Sequence, residues 1–148
     1  MASPAKRLPF RDDACWSIYC DGTALGGRGK TGLGATIISP TGARHELSEA
    51  AALGCNTQAE GWAVIAALKA ARRLGARSVT IYCDNTVVIE QIVGEARTQV
   101  PRLVPIFAEA RALVATFDAV TMRWLPRRKN GEADALARAA LGLPHKAR

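Results

Sequence analysis

A chain of 148 residues, 49% of them hydrophobic, is enough for one well-buried core and too short for two full domains. Twenty Lys and Arg against 13 Asp and Glu leave a formal charge of +7, which favours an anionic partner, with nucleic acid ahead of a membrane surface because no basic amphipathic helix stands out. The first twenty residues hold Lys6, Arg7, Arg11, Asp12 and Asp13 without an apolar centre, and no apolar run approaches about 18 residues, so a cytoplasmic setting with no membrane partner is expected.

In chain order, residues 1–13 read as a flexible basic tail, 14–142 as a single domain and 143–148 as a second flexible tail. CWSIYC, from Cys15 to Cys20, has the length and composition of a buried strand, and LGATIIS, from Leu33 to Ser39, reads as another. Pro40-Thr41-Gly42 is a turn signal, so Ala43 to Ala50 should return as the other arm of a hairpin. Asn56 or Thr57 is the expected cap of a long helix that stops at Gly75. Ser78 to Cys83 is a third clear strand, followed by a short helix from Asn85 to Val93. A second long helix near Pro101 and Pro105 places Leu103, Ile106, Phe107, Ala110, Leu113, Val114 and Phe117 on one stripe. A last strand, Ala119 to Leu125, leads through the basic loop 126–130 into a terminal helix reaching Leu141. The order βββαβααβα predicts an α/β fold with a five-stranded mixed sheet flanked by helices.

Cys15, Cys20, Cys55 and Cys83 show no CxxC spacing and no neighbouring His pair, so zinc-ribbon and dithiol redox sites are not expected. Buried small hydrophobes in a reducing compartment fit them better.

The tetrapeptide Ile-Tyr-Cys-Asp closes two strand-like runs, at 18–21 and at 81–84. If those strands lie parallel and adjacent, Asp21 and Asp84 emerge at one carboxyl edge, where open α/β sheets place their ligands. Two anions that close must share a proton or a cation. Glu60 lies on the helical stripe of Val64, Ala67, Leu68 and Ala71, a costly place for an unpaired carboxylate, although its first-turn position would also suit the helix dipole while it faces water. Asp134 shares a face with Ala137 and Leu141 on an alanine-rich helix, where on this residue alone an ordinary solvated acid is the commoner reading. Four oxygen donors without His or thiol suit Mg²⁺ or Mn²⁺.

The run 21–34, DGTALGGRGKTGLG, contains GxGxxG and nearly spells a phosphate-binding loop. Both motifs require a helix to start at once, whereas a β-branched strand ending at Pro40 follows. The DGT at 21–23 also approaches a phosphatase signature whose nucleophilic Asp would fall at Tyr19, which removes covalent phosphatase chemistry.

Asp21-Gly22-Thr23, the NTQAE run at 56–60, Cys83-Asp84-Asn85 and the NGEADALAR run at 130–138 together resemble the ribonuclease HI family, in order and across about residues 15 to 141. The resemblance implies that Asp21, Glu60, Asp84 and Asp134 are catalytic and bind two Mg²⁺ or Mn²⁺ ions, and that a metal-dependent endoribonuclease cuts the RNA strand of RNA/DNA hybrids to 5′-phosphate and 3′-hydroxyl ends. It also implies that Gly22, Thr23, Asn56 and Asn85 touch the substrate. Arg127, Arg128 and Lys129 would add phosphate contacts, although a solvated basic loop is the commoner reading of such a run; double-stranded RNA is a further candidate partner, and the protein is expected to be a monomer. Three departures stand out: the loop before the last helix lacks the histidine of many members, the segment between Gly94 and Pro101 is too short for their basic protrusion, and Cys55 replaces a hydroxyl residue. They keep open a binding module of the same fold that does not turn over. A DNA-cutting relative is disfavoured by DGT where an exonuclease would carry DxE.

Overall fold

The computed structural model describes residues 14–144; the expected tail at 1–13 and positions 145–148 of the expected second tail lie outside the described residues. The strands are β1 (Cys15–Ala24), β2 (Arg28–Ile38), β3 (Arg44–Cys55), β4 (Ser78–Cys83) and β5 (Ala119–Trp124). The helices are α1 (Asn56–Arg73), α2 (Thr86–Val93), α3 (Val104–Val114) and α4 (Gly131–Ala140), in the order expected. The sheet runs β3-β2-β1-β4-β5, with β1/β2 and β2/β3 antiparallel and β1/β4 and β4/β5 parallel. No helix among the described residues is long and apolar enough to cross a membrane.

Strand periodicity divides the sheet into two faces. Ile18 and Cys20 of β1, Leu33, Ala35 and Ile37 of β2, and Val79, Ile81 and Cys83 of β4 face the main core. α1 meets them with Ala59, Ala63, Val64, Ala67, Leu68 and Ala71, and α3 adds Ile106, Phe107 and Ala110. The opposite face of β1 and β2 carries α4. There a Cβ at Gly32 or Gly34 would overlap the α4 backbone at Ala137 or Ala133, so glycine at both positions is the condition for the helix to seat on the strand.

Several local boundaries differ from the sequence expectation, with β2 beginning at Arg28 and β3 running on to Cys55. β1 continues four residues past Cys20 because Asp21–Ala24 pair with Thr31–Gly34 in a long hairpin closed by the turn Leu25–Gly27. The glycine-rich run is therefore hairpin and strand, without a phosphate loop. α1 starts at Asn56 with Cys55 at the cap position, whose N–H donates to Gln58 Oε1 at 2.9 Å. Neither Asn56 nor Thr57 is the cap, and Asn56 Oδ1 instead accepts the Ala24 N–H at 2.8 Å, tying the end of β1 to the start of α1. The expectation for the cysteines holds for Cys20 and Cys83, which are buried, and not for Cys15 and Cys55, which are partly exposed. At the other end, Leu143 donates to Arg138 O and Arg138 Nε donates to Pro144 O, so 143–144 are hydrogen-bonded to the end of α4.

Candidate active site

Parallel pairing between β1 and β4 ends at Tyr19 opposite Tyr82, and Asp21 and Asp84 stand two residues beyond that pair on their own strands. Gly22 is the contact point for α1: a Cβ there would strike the backbone of Ala59 and Glu60. Closing at that point brings Glu60, only 9% exposed, down onto the strand ends. One carboxylate oxygen each from Asp21, Glu60 and Asp84 lies within 4.8 Å of the others. Asp134, in the first turn of α4, lines the same cavity of about 280 Å³ without joining that tight group.

Each acid of the trio is held by a neutral donor. Asp21 Oδ1 accepts the Gly22 N–H at 3.0 Å. Glu60 Oε1 accepts Asn85 Nδ2 at 2.7 Å, while Asn85 Oδ1 caps α2 by accepting the N–H groups of Val87 and Val88. Asp84 Oδ2 accepts Asn130 Nδ2 at 2.9 Å, and the same amide donates to Cys20 O at 2.9 Å. Asn130 is 1% exposed, and its Oδ1 is buried without a donor among the described residues.

Crowding of like charge sets the electrostatics. Burial, then repulsion by Asp84, Asp134 and Glu60, pushes Asp21 up to about 8, opposed by the Gly22 N–H. Burial lifts Glu60 to about 7; the Asn85 hydrogen bond and the nearby Arg127 pull down, and Asp84 pushes up. The ion pairs among the described residues, Arg44–Glu132, Lys69–Glu109 and Arg77–Asp118, all lie elsewhere. The thiols beneath the site are no competing ligands, because burial drives Cys20 well up and Cys83 to about 12, keeping both protonated. With hard oxygen donors, mutual repulsion and, among the described residues, no ion-paired cation, the trio forms a group that could hold a metal ion.

The other sequence-derived positions divide. Thr23, Asn56, Asn85 and Arg127 line the cavity with Gly22. Gly22 is buried beneath α1, and Asn85 spends its amide on Glu60, so both shape the site from within. Arg128 and Lys129 belong to the exposed turn Arg127–Lys129 and do not line the cavity. Sequence reasoning missed Asn130, Thr57 and Arg138, the last two as lining residues. The only available signal for Asn130 was an amide placed between a basic turn and the helix bearing Asp134.

Residues 19–140 match the family model described as reverse transcriptase-like. Among curated relatives, a bifunctional protein of Mycobacterium tuberculosis is 33% identical over 129 residues, covering 84% of this chain and 35% of the relative. A ribonuclease HI of Halobacterium salinarum is 35% identical over 124 residues, 83% of this chain and 62% of the relative. The chain thus spans about a third of the mycobacterial protein's length and less than two thirds of the archaeal one. Among solved structures, ribonuclease H1 from Halobacterium salinarum superposes with a TM-score of 0.82 at 33% identity, covering 86% of this chain and 98% of that one. A ribonuclease H1 solved in complex with an RNA/DNA hybrid superposes at 0.78 with 28% identity, over 86% and 96% of the two chains.

Two outcomes follow from the geometry. A carboxyl whose pKa is higher folded than unfolded binds extra protons in the native state, so the metal-free stability that Asp21 contributes is fully present below about 4, the unfolded value. It is then lost as pH rises to about 8, the folded value of Asp21. Thermal denaturation in EDTA should show Tm falling between those limits, and Asp21→Asn should flatten the fall and exceed the wild type at the alkaline end. Asn130→Ala should lower kcat on a cleavable substrate about 10- to 100-fold by releasing Asp84, with KM little changed. Steady-state kinetics beside circular dichroism of the folded variant check this.

Proposed function

The chain belongs to the ribonuclease H family, and from that premise we propose that it is a metal-dependent endoribonuclease that cuts the RNA strand of RNA/DNA hybrids, leaving 5′-phosphate and 3′-hydroxyl ends. The observation that carries this reading is the convergence of Asp21, Glu60 and Asp84 within 4.8 Å, with Asp134 on the wall of the same cavity. A binding module has no use for buried anions that repel one another, since they oppose an incoming phosphate unless cations accompany it.

In this reading Asp21, Glu60, Asp84 and Asp134 would hold two Mg²⁺ or Mn²⁺ ions, which would supply Lewis acidity for phosphodiester hydrolysis. The chain's own task is preorganisation. Asn130 and Asn85 fix the carboxylates of Asp84 and Glu60 in one orientation each. Asn56 has its Oδ1 engaged by Ala24, which leaves its NH₂ group to donate toward the RNA strand. Thr23 lines the same cavity, and in this reading its hydroxyl would meet the 2′-hydroxyl, the group that marks the cut strand as RNA.

Arg127 stands where its charge reaches both Glu60 and the cavity, so with Arg138 on the same wall it serves as a positive group for the scissile phosphate. Arg128 and Lys129, exposed on the same turn, extend that charge toward flanking phosphates. His45 stacks on Trp16 at the opposite end of β1 from Asp21 and takes no part. The segment between α2 and α3 forms no helix comparable to a basic protrusion, so hybrid binding rests on few phosphate contacts.

An end-labelled RNA/DNA hybrid incubated with Mg²⁺ or Mn²⁺ tests the reading. RNA-strand fragments ending in 3′-hydroxyl are expected, with Asp84→Asn slowing cleavage on the order of 10³-fold while hybrid affinity and fold persist. A folded wild type that binds hybrid and cuts nothing with either metal, or that cuts the DNA strand, would contradict it.

A further inference from the structure

The sheet face that carries α4 has a second concave surface beside the acids, which the proposed chemistry leaves unused. Tyr19 lies opposite Tyr82, and Tyr82 lies opposite Arg123, so the three side chains form one row across β1, β4 and β5. α4 packs on β1, β2 and β3 and leaves this end of the sheet uncovered. The two tyrosine rings stack with centroids 4.6 Å apart and planes 11° apart. Trp124, 54% exposed at the end of β5, pairs with Cys83 and so borders the row from the opposite face of the sheet. Together with Lys129 these residues wall a depression of about 610 Å³ whose lining contains no acidic residue.

Position ties this depression to the catalytic cavity. Tyr19 precedes Asp21 by two residues and Tyr82 precedes Asp84 by two, a strand distance of about 6.6 Å. The Trp124 indole N–H donates to Asp84 O at 3.3 Å, holding the ring beside the acid's backbone. One turn of basic residues joins the two concavities, Arg127 lining the first and Lys129 the second. Aromatic planes interleaved with cations, and no acid, match the demands of unpaired nucleotides, whose bases stack and whose phosphates need charge. An acidic peptide would use the cations and leave the aromatic surface idle.

We propose that this depression is a subsite for a single-stranded extension of the hybrid, with bases stacking against the Tyr19–Tyr82 pair and phosphates held by Arg123 and Lys129. The proposal rests on the hybrid-cutting function above and adds to it a preference for substrates with an unpaired tail next to the duplex. Because every base has a stacking face, the preference is independent of tail sequence.

The test is fluorescence anisotropy in EDTA with one short hybrid, blunt or carrying an unpaired tail on its RNA strand or on its DNA strand, followed by cleavage of the same substrates with Mg²⁺. At least one tail should tighten binding about tenfold or more, the effect of a single stacked base. Arg123→Ala and Tyr82→Leu should each remove that gain while leaving affinity for the blunt hybrid and its cleavage unchanged. Equal affinity for blunt and tailed hybrids, or a gain that survives both substitutions, overturns the subsite. A protein that gains affinity from the tail but cuts no hybrid keeps the subsite and loses the nuclease function; one that cuts every hybrid without a tail effect loses the subsite alone.

Discussion

Mutual repulsion among carboxylates in a half-buried space is the constraint on which the rest of this molecule depends. Asp21, Glu60 and Asp84 sit within 4.8 Å of one another, and no ion pair among the described residues relieves them. Burial removes the water that would otherwise screen the charges, so protons are retained on Asp21 and Glu60 into the neutral range. Such a site costs stability when empty of cations, and the packing around it has to hold the acids together regardless. An arrangement of that kind is retained for what it binds.

That packing is built from missing atoms as much as from present ones. Gly22 has no Cβ to hold α1 away, and Ala59, Ala63 and Ala67 let the helix lie close on β1. Gly32 and Gly34 do the same for α4 on the other face, which brings Asp134 to the cavity wall. The close approach of two helices to one strand pair is what gathers acids that are up to 113 residues apart in the chain into one cavity. Buried amides then replace mobility with fixed orientation. Asn130 bridges the β1 carbonyl of Cys20 to the side chain of Asp84, and Asn85 caps α2 while holding Glu60.

Much of the fold was legible because its signals are local. Apolar runs located four strands, the turn signal at Pro40-Thr41-Gly42 located β3, and the 3.6-residue stripes located α1 and α3. The repeated Ile-Tyr-Cys-Asp correctly indicated a parallel pair with both aspartates at one edge, since the register aligns Tyr19 with Tyr82. Glu60 was conspicuous as a carboxylate on an alanine stripe, and that ambiguity resolved toward burial. What stayed hidden depends on partners far away in the chain. The extension of β1 past Asp21 arises from pairing with β2. Asn56 turned out to bind Ala24 instead of capping its own helix. Asn130 finds its carbonyl partner 110 residues upstream, and no local pattern encodes that contact.

The central claim is that Asp21, Glu60 and Asp84 form one cation site at the carboxyl edge of β1 and β4. Anomalous scattering from crystals grown with Mn²⁺ tests it most directly. The account predicts a strong peak among the three carboxylates, absent in crystals of Asp21→Asn. Manganese bound elsewhere on the chain, or a peak that survives the loss of Asp21, would contradict it.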